Sequence, residues 1–439
     1  MTNIKGVLAS GVRKMLPSGM AGRIESGYRK GRVKLLTASY GNPAKGLRVI
    51  AVTGTNGKTT TVSYLNEILK EAGYKTAMFS TAQIEIDGEK HVNDLNRTVA
   101  LTKDLMNFYR KAKRAKADFV LIEATSHALD QHKLSTTPVE MAIMTNLTQD
   151  HLDYHKTMEG YAAAKAKLFK MQPKYIVLNR DDPWFEYFDV FPAGYQKITY
   201  GKSDQAEARI DHVKLYRKGT ELDMVIDHQT KLSLATALPG EYNAYNLAAA
   251  VSAAYLLNVG LKDITEGAAN LEGIPGRFDR VDMGQPYDIV VDYAHTPDGY
   301  EKLLTAAREI TKNRVILVFG SCGDRDKAKR PIMGEIAANM ADRIFLTDEE
   351  SYSEDPQIIR DQIYEGIERA HGTAKTTEVP DRLEAIKKAL SIATKGDTVL
   401  ITGMGHEMYR IVNGKRIPWN DAEAVRGILS PDKVNGPSN

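Results

Sequence analysis

The chain has 439 residues, which is more than one hydrophobic core usually supports, so we expect two or three domains. Its hydrophobic share of 42% and charged share of 26% are those of an ordinary globular protein, and a net charge of +3 gives no general argument for nucleic-acid binding. The single cysteine, Cys322, excludes an intramolecular disulfide and favours a reducing compartment, the cytoplasm, while no apolar run approaches the roughly 20 residues that span a bilayer and no signal peptide is evident.

Residues 1–46 form a short basic segment at the start of the chain. Up to Lys45 it holds nine lysine or arginine residues and one acid, Glu25. Charge runs are usually solvated, so we expect a solvated tail or a short leading helix. Weak contact with an anionic membrane surface is the alternative.

From residue 48 onward, short apolar runs alternate with helical stretches. This alternation is typical of a mostly parallel sheet covered by helices on both faces. The predicted strands are 48–53, 119–123, 141–145 and 175–178, and helices are predicted at 59–72 and 243–257. An alternating pattern over 206–238 predicts a small antiparallel insertion. We therefore expect a central α/β domain of the P-loop ATPase type at residues 47–272.

A second α/β series follows Pro275, Gly276 and Arg277. Its predicted strands are 289–291, 315–319, 343–346 and 398–401, with helices of about 10–15 residues between them. This series predicts a Rossmann-like α/β C-terminal domain at residues 273–439.

The turn between the first strand and the first helix has the composition of a phosphate-binding loop. Its residues are Gly54, Thr55, Asn56, Gly57, Lys58, Thr59 and Thr60. Glycines let backbone N–H groups approach phosphates, and a helix N-terminus favours an anion. Lys58 would reach the β- and γ-phosphates of a nucleotide, and the Thr59 hydroxyl would bind magnesium. The usual loop has glycine where this chain has Val52, which excludes the common GTPase and kinase forms.

This variant loop, TGTNGKTTT, resembles that of the Mur ligase family. The similarity extends over roughly residues 47–430. The matching stretches are 123–129, 145–147, 150–155, 161–165, 240–243 with 246, 275–277, 292–297, 323–326 and 403–407. Many ordered matches make the resemblance specific, although no single one would.

The resemblance implies an ATP- and magnesium-dependent ligase that forms an amide bond. In such ligases ATP phosphorylates an acceptor carboxylate, and an incoming amine attacks the acyl-phosphate. Lys58, Glu123, His151 and Lys165 would be the catalytic residues. Magnesium would be held by Thr59, Glu123, His151 and Lys165 as its carbamate. Cations are needed because two anions, the carboxylate and the γ-phosphate, must approach each other.

Further residues are assigned to the nucleotide by the same resemblance. Asn246 would read the adenine edge, since an amide offers both a donor and an acceptor. Arg277 would reach ATP from the domain junction, and Asp292 would contact it from the C-terminal domain. Closure of the two domains on the nucleotide would then exclude water from the acyl-phosphate. Lys167, two residues from Lys165, is expected to be an ordinary surface lysine.

A third set of residues is predicted to bind the two substrates, an amino acid and a carboxylate acceptor. Its members are Thr98, Ser126, His127, His295, Asp324, Arg325, Glu349, Tyr352, Gly403 and Glu407. Asp324 and Arg325 follow a predicted strand, where ligands of α/β sheets usually bind.

Three departures from the family pattern bear on the substrates. About 46 residues precede the central domain, too few for the domain that binds the uridine nucleotide in family members. Residues 96–100 lack the proline of a family signature at the acceptor site. Ligases for meso-diaminopimelate carry a stretch similar to Asp-Asn-Pro-Arg at one place in the family pattern. This chain has Glu349, Glu350, Ser351 and Tyr352 there. Loss of that arginine removes a bidentate carboxylate clamp, and an acidic pocket would suit a cationic side chain.

The sequence therefore predicts a monomeric, cytoplasmic ligase with ATP and Mg²⁺ as cofactors. It would add lysine or another diamino acid, the third residue of the peptidoglycan stem, to a UDP-muramyl dipeptide, in cell-wall biogenesis, cell shape and cell division. One alternative is a related ligase with another acceptor, such as a folate, a poly-glutamate or a cell-surface peptide. The other is a non-catalytic nucleotide-binding partner of a second subunit.

Overall fold

The computed structural model describes residues 18–93, 102–412 and 414–430. The strands are β1 Val49–Thr53, β2 Thr76–Phe79, β3 Gln83–Ile86, β4 Glu89–Val92, β5 Phe119–Glu123, β6 Val139–Met144, β7 Tyr175–Asn179, β8 Gln196–Gly201, β9 Ala208–Tyr216, β10 Gly219–Ile226, β11 Thr230–Thr236, β12 Asp279–Arg280, β13 Asp288–Asp292, β14 Val315–Phe319, β15 Arg343–Leu346, β16 Thr376–Glu378, β17 Thr398–Thr402, β18 Tyr409–Val412 and β19 Lys415–Pro418.

The helices connect these strands and cover their faces. They are α1 Ser18–Ser39, α2 Lys58–Glu71, α3 Thr102–Arg114, α4 Ser126–Asp130, α5 Leu152–His155, α6 Met158–Phe169, α7 Phe185–Asp189, α8 Glu241–Leu256, α9 Leu261–Ala269, α10 Pro297–Ile310, α11 Lys329–Met340, α12 Pro356–Arg369, α13 Arg382–Ile392 and α14 Asp421–Leu429. In the described ranges, no helix is both long and apolar enough to cross a bilayer.

The larger sheet has the order β11-β10-β9-β8-β7-β6-β1-β5-β2-β3-β4. Its centre, from β8 to β2, is parallel, which confirms the predicted mostly parallel sheet. The predicted antiparallel insertion is not a separate unit, because β9 pairs with β8 and carries β10 and β11 as the edge of the same sheet. The alternating pattern marked these strands correctly but could not show which neighbour they join.

Hydrophobic cores lie on both faces of this sheet. In β1, Ile50 and Val52 face one core, which α2, α8 and α9 complete, while Val49 and Ala51 face the other, which includes side chains of α3 and α6. A strand buried on both faces needs apolar residues at every position, and β1 has the sequence VIAVT. This packing fixes the carboxyl ends of β1, β5 and β6 side by side.

The smaller sheet has the order β12-β13-β17-β14-β15-β16 and is parallel except for β12. Helices cover both of its faces, which confirms the predicted α/β C-terminal domain. The chain passes from one sheet to the other between Ala269 and Asp279. The boundary predicted at 272–273 falls in this connection and stays a prediction.

The described part of the basic leader is a helix, α1. Val33 and Thr37 are buried against the central domain, and Ser26 forms a 2.7 Å hydrogen bond with His132. Tyr28 and Leu35 lie on the opposite, exposed face. Residues 18–39 therefore follow the leading-helix alternative rather than that of a solvated tail.

Candidate active site at the junction of the two domains

The phosphate-binding loop joins β1 to α2 in a conformation that only glycine fits at two points. Gly54 has φ 149°, and a Cβ there would lie 1.8 Å from the Thr145 hydroxyl. Gly57 has φ 84°, and a Cβ there would lie 2.1 Å from the Asn246 side-chain oxygen. Gly57 is also the N-cap of α2 and has no side chain to cap it, so the first N–H groups of α2 can receive an anion.

Two residues at the carboxyl end of β6 hold this loop. The Asn146 carbonyl accepts a hydrogen bond from the Thr55 N–H at 2.8 Å. The Asn146 side-chain oxygen accepts a second one from the Asn56 N–H at 3.0 Å. The Thr145 hydroxyl donates to the Asn56 carbonyl at 2.6 Å. The sequence grouped Thr145 and Asn146 as a family match but gave them no role; the structure shows that they support the loop.

Two lysines meet at the carbonyl of Gly54. Lys58 Nζ donates to it at 3.0 Å and to the Thr55 carbonyl at 2.8 Å, and Lys165 Nζ donates to the Gly54 carbonyl at 2.7 Å. Burial lowers the pKa of Lys58. Burial, followed by the neighbouring Lys58 charge, lowers the pKa of Lys165 well below its usual value. A neutral amine is the form that reacts with CO2, so the environment fits the predicted carbamate, which stays a prediction.

Lys167 is not the ordinary surface lysine that the sequence predicted. Its Nζ lies 2.6 Å from the Asp130 carboxylate, and its side chain is about one-third exposed. The ion pair forms because α4 packs against α6, a contact that helical spacing alone does not reveal.

A pair of oxygen ligands suited to magnesium lies beside the loop. The Thr59 hydroxyl donates to Glu123 at 2.8 Å, and both residues are buried. Thr81 holds the same carboxylate, with its N–H at 2.7 Å from one oxygen and its hydroxyl at 2.8 Å from the other. Mg²⁺ prefers oxygen ligands and is often bound by one or two protein groups plus phosphates and water. Thr59 and Glu123 therefore fit the ion.

His151 lies at the start of α5, in a left-handed conformation with φ 55°. Its Nε2 is 3.2 Å from the Asp150 carboxylate, and burial lowers the pKa of His151 to about 3. The imidazole is therefore neutral and has a lone pair for a metal ion. In the described ranges no three histidine, cysteine or carboxylate side chains converge as a metal cluster, so His151 as a ligand stays a prediction.

Two of the predicted substrate-binding residues, Ser126 and His127, lie close to His151 and His155. The His127 ring is 4.7 Å from the His151 ring and 4.3 Å from that of Tyr154. Ser126 is buried and its hydroxyl forms a 2.9 Å hydrogen bond with His155. Burial lowers the pKa of His155 to about 4 and also that of His127. Thr98 and the rest of 96–100 lie outside the described residues.

A cleft of about 660 Å³ between the domains holds six of the residues assigned to the nucleotide. They are Asn56, Gly57, Thr60, Asn246, Arg277 and Asp292. The volume is that of a small-molecule site. Asn246 lies against Gly57, at the phosphate end of the cleft, and donates to Asn243 at 3.2 Å. Its contact with adenine stays a prediction.

Contacts between the domains close this cleft on one side. Arg277 Nη2 lies 3.4 Å from the Thr59 hydroxyl, and its guanidinium stacks on Tyr293. The Asn56 amide donates to Asp298 at 2.7 Å, a contact that the sequence did not predict. Asp292 accepts the backbone N–H groups of Phe278 and Ala294, each at 2.7 Å, so it shapes the wall of the cleft.

The residues assigned to the amino acid lie at the carboxyl edge of the smaller sheet. Arg325 stacks on the Tyr352 ring at 5.1 Å, and the Tyr352 hydroxyl donates to Glu350 at 2.7 Å. Asp324 accepts the Ser353 hydroxyl at 2.8 Å and is exposed. His295, at the domain interface, pairs its Nδ1 with the Tyr293 carbonyl at 2.8 Å.

Buried acids give this part of the site its electrostatic character. Glu349 lies under Gly403, where a Cβ would be 1.9 Å from its carboxylate, and it accepts the Gly320 N–H at 3.2 Å. Burial raises the pKa of Glu349 to about 7. Burial, and then the charge of Glu350, raises the pKa of Glu407 to about 8. A cation bound here would favour the ionised forms.

Comparison with known proteins gives the same two units. Residues 52–254 match the Mur ligase middle domain, and residues 276–405 match the domain described as Mur ligase, glutamate ligase domain. A UDP-N-acetylmuramoyl-L-alanyl-D-glutamate--2,6-diaminopimelate ligase of Syntrophomonas wolfei subsp. wolfei is 38% identical over 423 residues, which cover 95% of this chain and 85% of that protein.

Solved structures of similar fold include a ligase with the same name. A structure of a UDP-N-acetylmuramoyl-L-alanyl-D-glutamate--2,6-diaminopimelate ligase has a TM-score of 0.62 at 32% identity, covering 93% of this chain and 83% of that one. Mycobacterium tuberculosis folylpolyglutamate synthase complexed with ADP has a TM-score of 0.72 at 18% identity, covering 92% and 94%. The second likeness shows the fold alone.

Proposed function

The chain belongs to the Mur ligase family, and we propose that it uses ATP to activate a carboxylate as an acyl-phosphate and joins it to an amino acid. The observation that carries the proposal is the group formed by Lys58, Thr59, Glu123 and Lys165, next to Gly57 and Thr60, which line the interdomain cleft. A non-catalytic partner subunit has no need of such a group. Because the reaction consumes ATP, the proposal places it in the cytoplasm.

The protein residues have distinct parts in this reaction. Lys58 and the N-terminus of α2 bind the phosphates, and Arg277 reaches the same end from the other domain. Magnesium, when bound by Thr59 and Glu123, neutralises charge that develops during phosphoryl transfer. The contact of Asn56 with Asp298 brings the domains together, which limits the access of water to the acyl-phosphate.

For the acceptor we propose a UDP-muramyl dipeptide. The support is that relatives at 37–38% identity are named as ligases for UDP-N-acetylmuramoyl-L-alanyl-D-glutamate. Neutral imidazoles of His127 and His155 and the Ser126 hydroxyl lie near the magnesium-binding end and can position a carboxylate or amide. Product formation would build the stem peptide of peptidoglycan.

For the donor we propose a diamino acid with a cationic end, lysine or ornithine. The named relatives are ligases for 2,6-diaminopimelate, whose distal end also carries a carboxylate. Here Tyr352 stands where ligases for diaminopimelate are expected to carry an arginine, its hydroxyl donates to Glu350, and the charge of Glu350 helps to raise the pKa of Glu407. An ammonium group would pair with these acids.

Tyr352→Arg is expected to shift donor preference toward meso-diaminopimelate. The new guanidinium would offer the distal carboxylate a charge-assisted hydrogen bond of about 1.5–3 kcal/mol, which corresponds to about tenfold or more in relative kcat/KM. The measurement is kcat/KM for lysine and diaminopimelate, with Tyr352→Phe as the control that removes only the hydroxyl bonded to Glu350. An unchanged ratio in Tyr352→Arg would mean that the selector lies elsewhere.

The KM for lysine is expected to fall as pH rises from about 6 to about 8.5. The raised pKa of Glu407, about 8, means that its carboxyl is largely protonated at neutral pH in the free enzyme. An ammonium binds the carboxylate form, so binding releases a proton and strengthens with pH, by up to about tenfold per unit for one group. Glu407→Gln should make this dependence less steep, leaving the part that comes from deprotonation of the lysine amino group. A KM that stays constant or rises in the wild type would contradict the assignment.

The function is tested by phosphate release from ATP and magnesium in the presence of UDP-N-acetylmuramoyl-L-alanyl-D-glutamate and single amino acids. The expected result is release that requires both the acceptor and one diamino acid. If nucleotide binds but no release occurs with any amino acid, the acceptor is different. The same assay then extends to folates, poly-glutamates and cell-surface peptides.

A further inference from the structure

His406 is a buried histidine whose ring nitrogens make no hydrogen bond of normal geometry. It is 4% exposed. Buried polar atoms are rarely left unpaired in native proteins, and an exception needs an explanation such as a ligand. His406 lies in the stretch that contains Gly403 and Glu407, but the sequence pattern assigned it no role.

The backbone around His406 is held in one position. Gly276 has φ 67°, and a Cβ there would lie 2.2 Å from the His406 backbone nitrogen. Gly405 has φ 52° and packs against Tyr293. The His406 ring lies 5.1 Å from the Tyr293 ring. These contacts fix the His406 backbone and place its ring beside Tyr293.

Its position links the two halves of the proposed reaction. On the central-domain side, a weak contact with the Thr81 backbone raises the pKa of His406, against the larger lowering by burial, and Thr81 also holds Glu123. On the C-terminal side, Tyr293 hydrogen-bonds to Glu407 in the acidic pocket. His406 thus lies between the residues that fit magnesium and those that fit the amino acid.

We propose that His406 accepts a hydrogen bond from the amino group of the incoming amino acid and orients it toward the acyl-phosphate. This inference rests on the proposed ligase function and adds a substrate-binding residue to it. The amine enters after losing its ammonium proton to water. Its nitrogen forms the C–N bond as the C–O bond to phosphate breaks, and phosphate leaves with that electron pair and takes the proton that nitrogen loses.

The chemistry of the site favours an amine over an anion as the partner. Burial, and then the Arg277 charge, lowers the pKa of His406 to about 3, so the ring is neutral and keeps one accepting nitrogen. The phosphates already have Lys58, Arg277 and the N-terminus of α2 as cationic or N–H partners. The amino group of the incoming amino acid carries N–H donors that an accepting ring nitrogen can bind.

The first test separates the two half-reactions in His406→Leu and His406→Gln. Acyl-phosphate formation is followed by positional isotope exchange in ATP, with acceptor present and amino acid absent. In His406→Leu we expect exchange within about twofold of wild type but a KM for lysine raised about tenfold or more. His406→Gln, whose amide oxygen can accept the same bond, should recover most of this loss. Exchange that falls in parallel with ligation, or a glutamine variant as impaired as the leucine variant, would overturn the proposal.

A second test does not depend on turnover. The measurement is NMR of protein labelled with ¹⁵N-histidine. The signals of the His406 ring are identified as those that disappear in the variant His406→Gln. We expect them to shift when L-lysine is added to the complex with magnesium and the β,γ-methylene analogue of ATP, and not with nucleotide alone. Signals that do not respond to lysine at saturating concentration would contradict the inference. Failure of the proposed function would appear separately, as wild-type protein that forms no amide.

Discussion

Lys58→Ala is expected to reduce ligation by about 10³-fold, since its ammonium is the cation that the phosphate loop itself supplies to phosphoryl transfer. In the structure Lys58 Nζ folds back on the Gly54 and Thr55 carbonyls, within its own loop. A bound phosphate would replace these acceptors. The measurement is the rate of phosphate release at saturating ATP, acceptor and amino acid.

The substitution Lys58→Ala should lower activity without lowering thermal stability. Burial lowers the pKa of Lys58, which means that the fold disfavours its charge, so alanine should leave the melting temperature unchanged or higher. Lys262→Ala is the matched control, because the Lys262 side chain is 81% exposed on α9 of the same domain. Retention of more than about a tenth of wild-type turnover by Lys58→Ala would show that the loop lysine is not essential to transfer.

Lys165→Ala is expected to lower turnover by about 10²–10³-fold and to regain part of it with added acetate or formate. The reason is that a carbamate on Lys165 would place an anion among Lys58, Thr59 and Glu123, where a small carboxylate can substitute for it. The buried amine, with its pKa well below the usual value, is in the form that takes up CO2. The measurement is turnover as a function of carboxylate concentration.

The control for rescue is Lys170→Ala, at the exposed end of the same helix, α6. It should retain activity and should not respond to carboxylates. Lys165→Ala that loses activity with no rescue would argue for a role of the free amine, through its bond to the Gly54 carbonyl. Mass measurement of intact wild-type protein in bicarbonate would then show no added CO2.

Much of the fold follows from local patterns in the sequence. Predicted and observed bounds agree for β5, β14 and β15, because each is a short apolar run that is buried on both faces. The phosphate loop was also predictable, since its glycines and Lys58 must occur between a strand and a helix. The attachment of β9 to β8 was not, because an alternating pattern describes a strand but not its neighbour.

The parts of the site that the sequence missed depend on loops approaching one another. Thr81 carries no motif, yet it donates two hydrogen bonds to Glu123; its only signal is that it follows β2 at the carboxyl edge of the sheet. The His406 backbone packs against Gly276, about 130 residues away in the chain. The Gly320 N–H donates to the Glu349 carboxyl, a contact that no spacing rule indicates, and the predicted contact of Glu349 with substrate stays a prediction.

The central claim is that a carboxylate is activated by ATP before the amide forms. It is tested most directly with UDP-N-acetylmuramoyl-L-alanyl-D-glutamate labelled with ¹⁸O in both of its D-glutamyl carboxylates, incubated with the enzyme, ATP, magnesium and lysine. An acyl-phosphate mechanism predicts that each phosphate released with an amide carries one ¹⁸O from the acceptor. Phosphate without the label, formed alongside the amide or without any amide, would contradict the account.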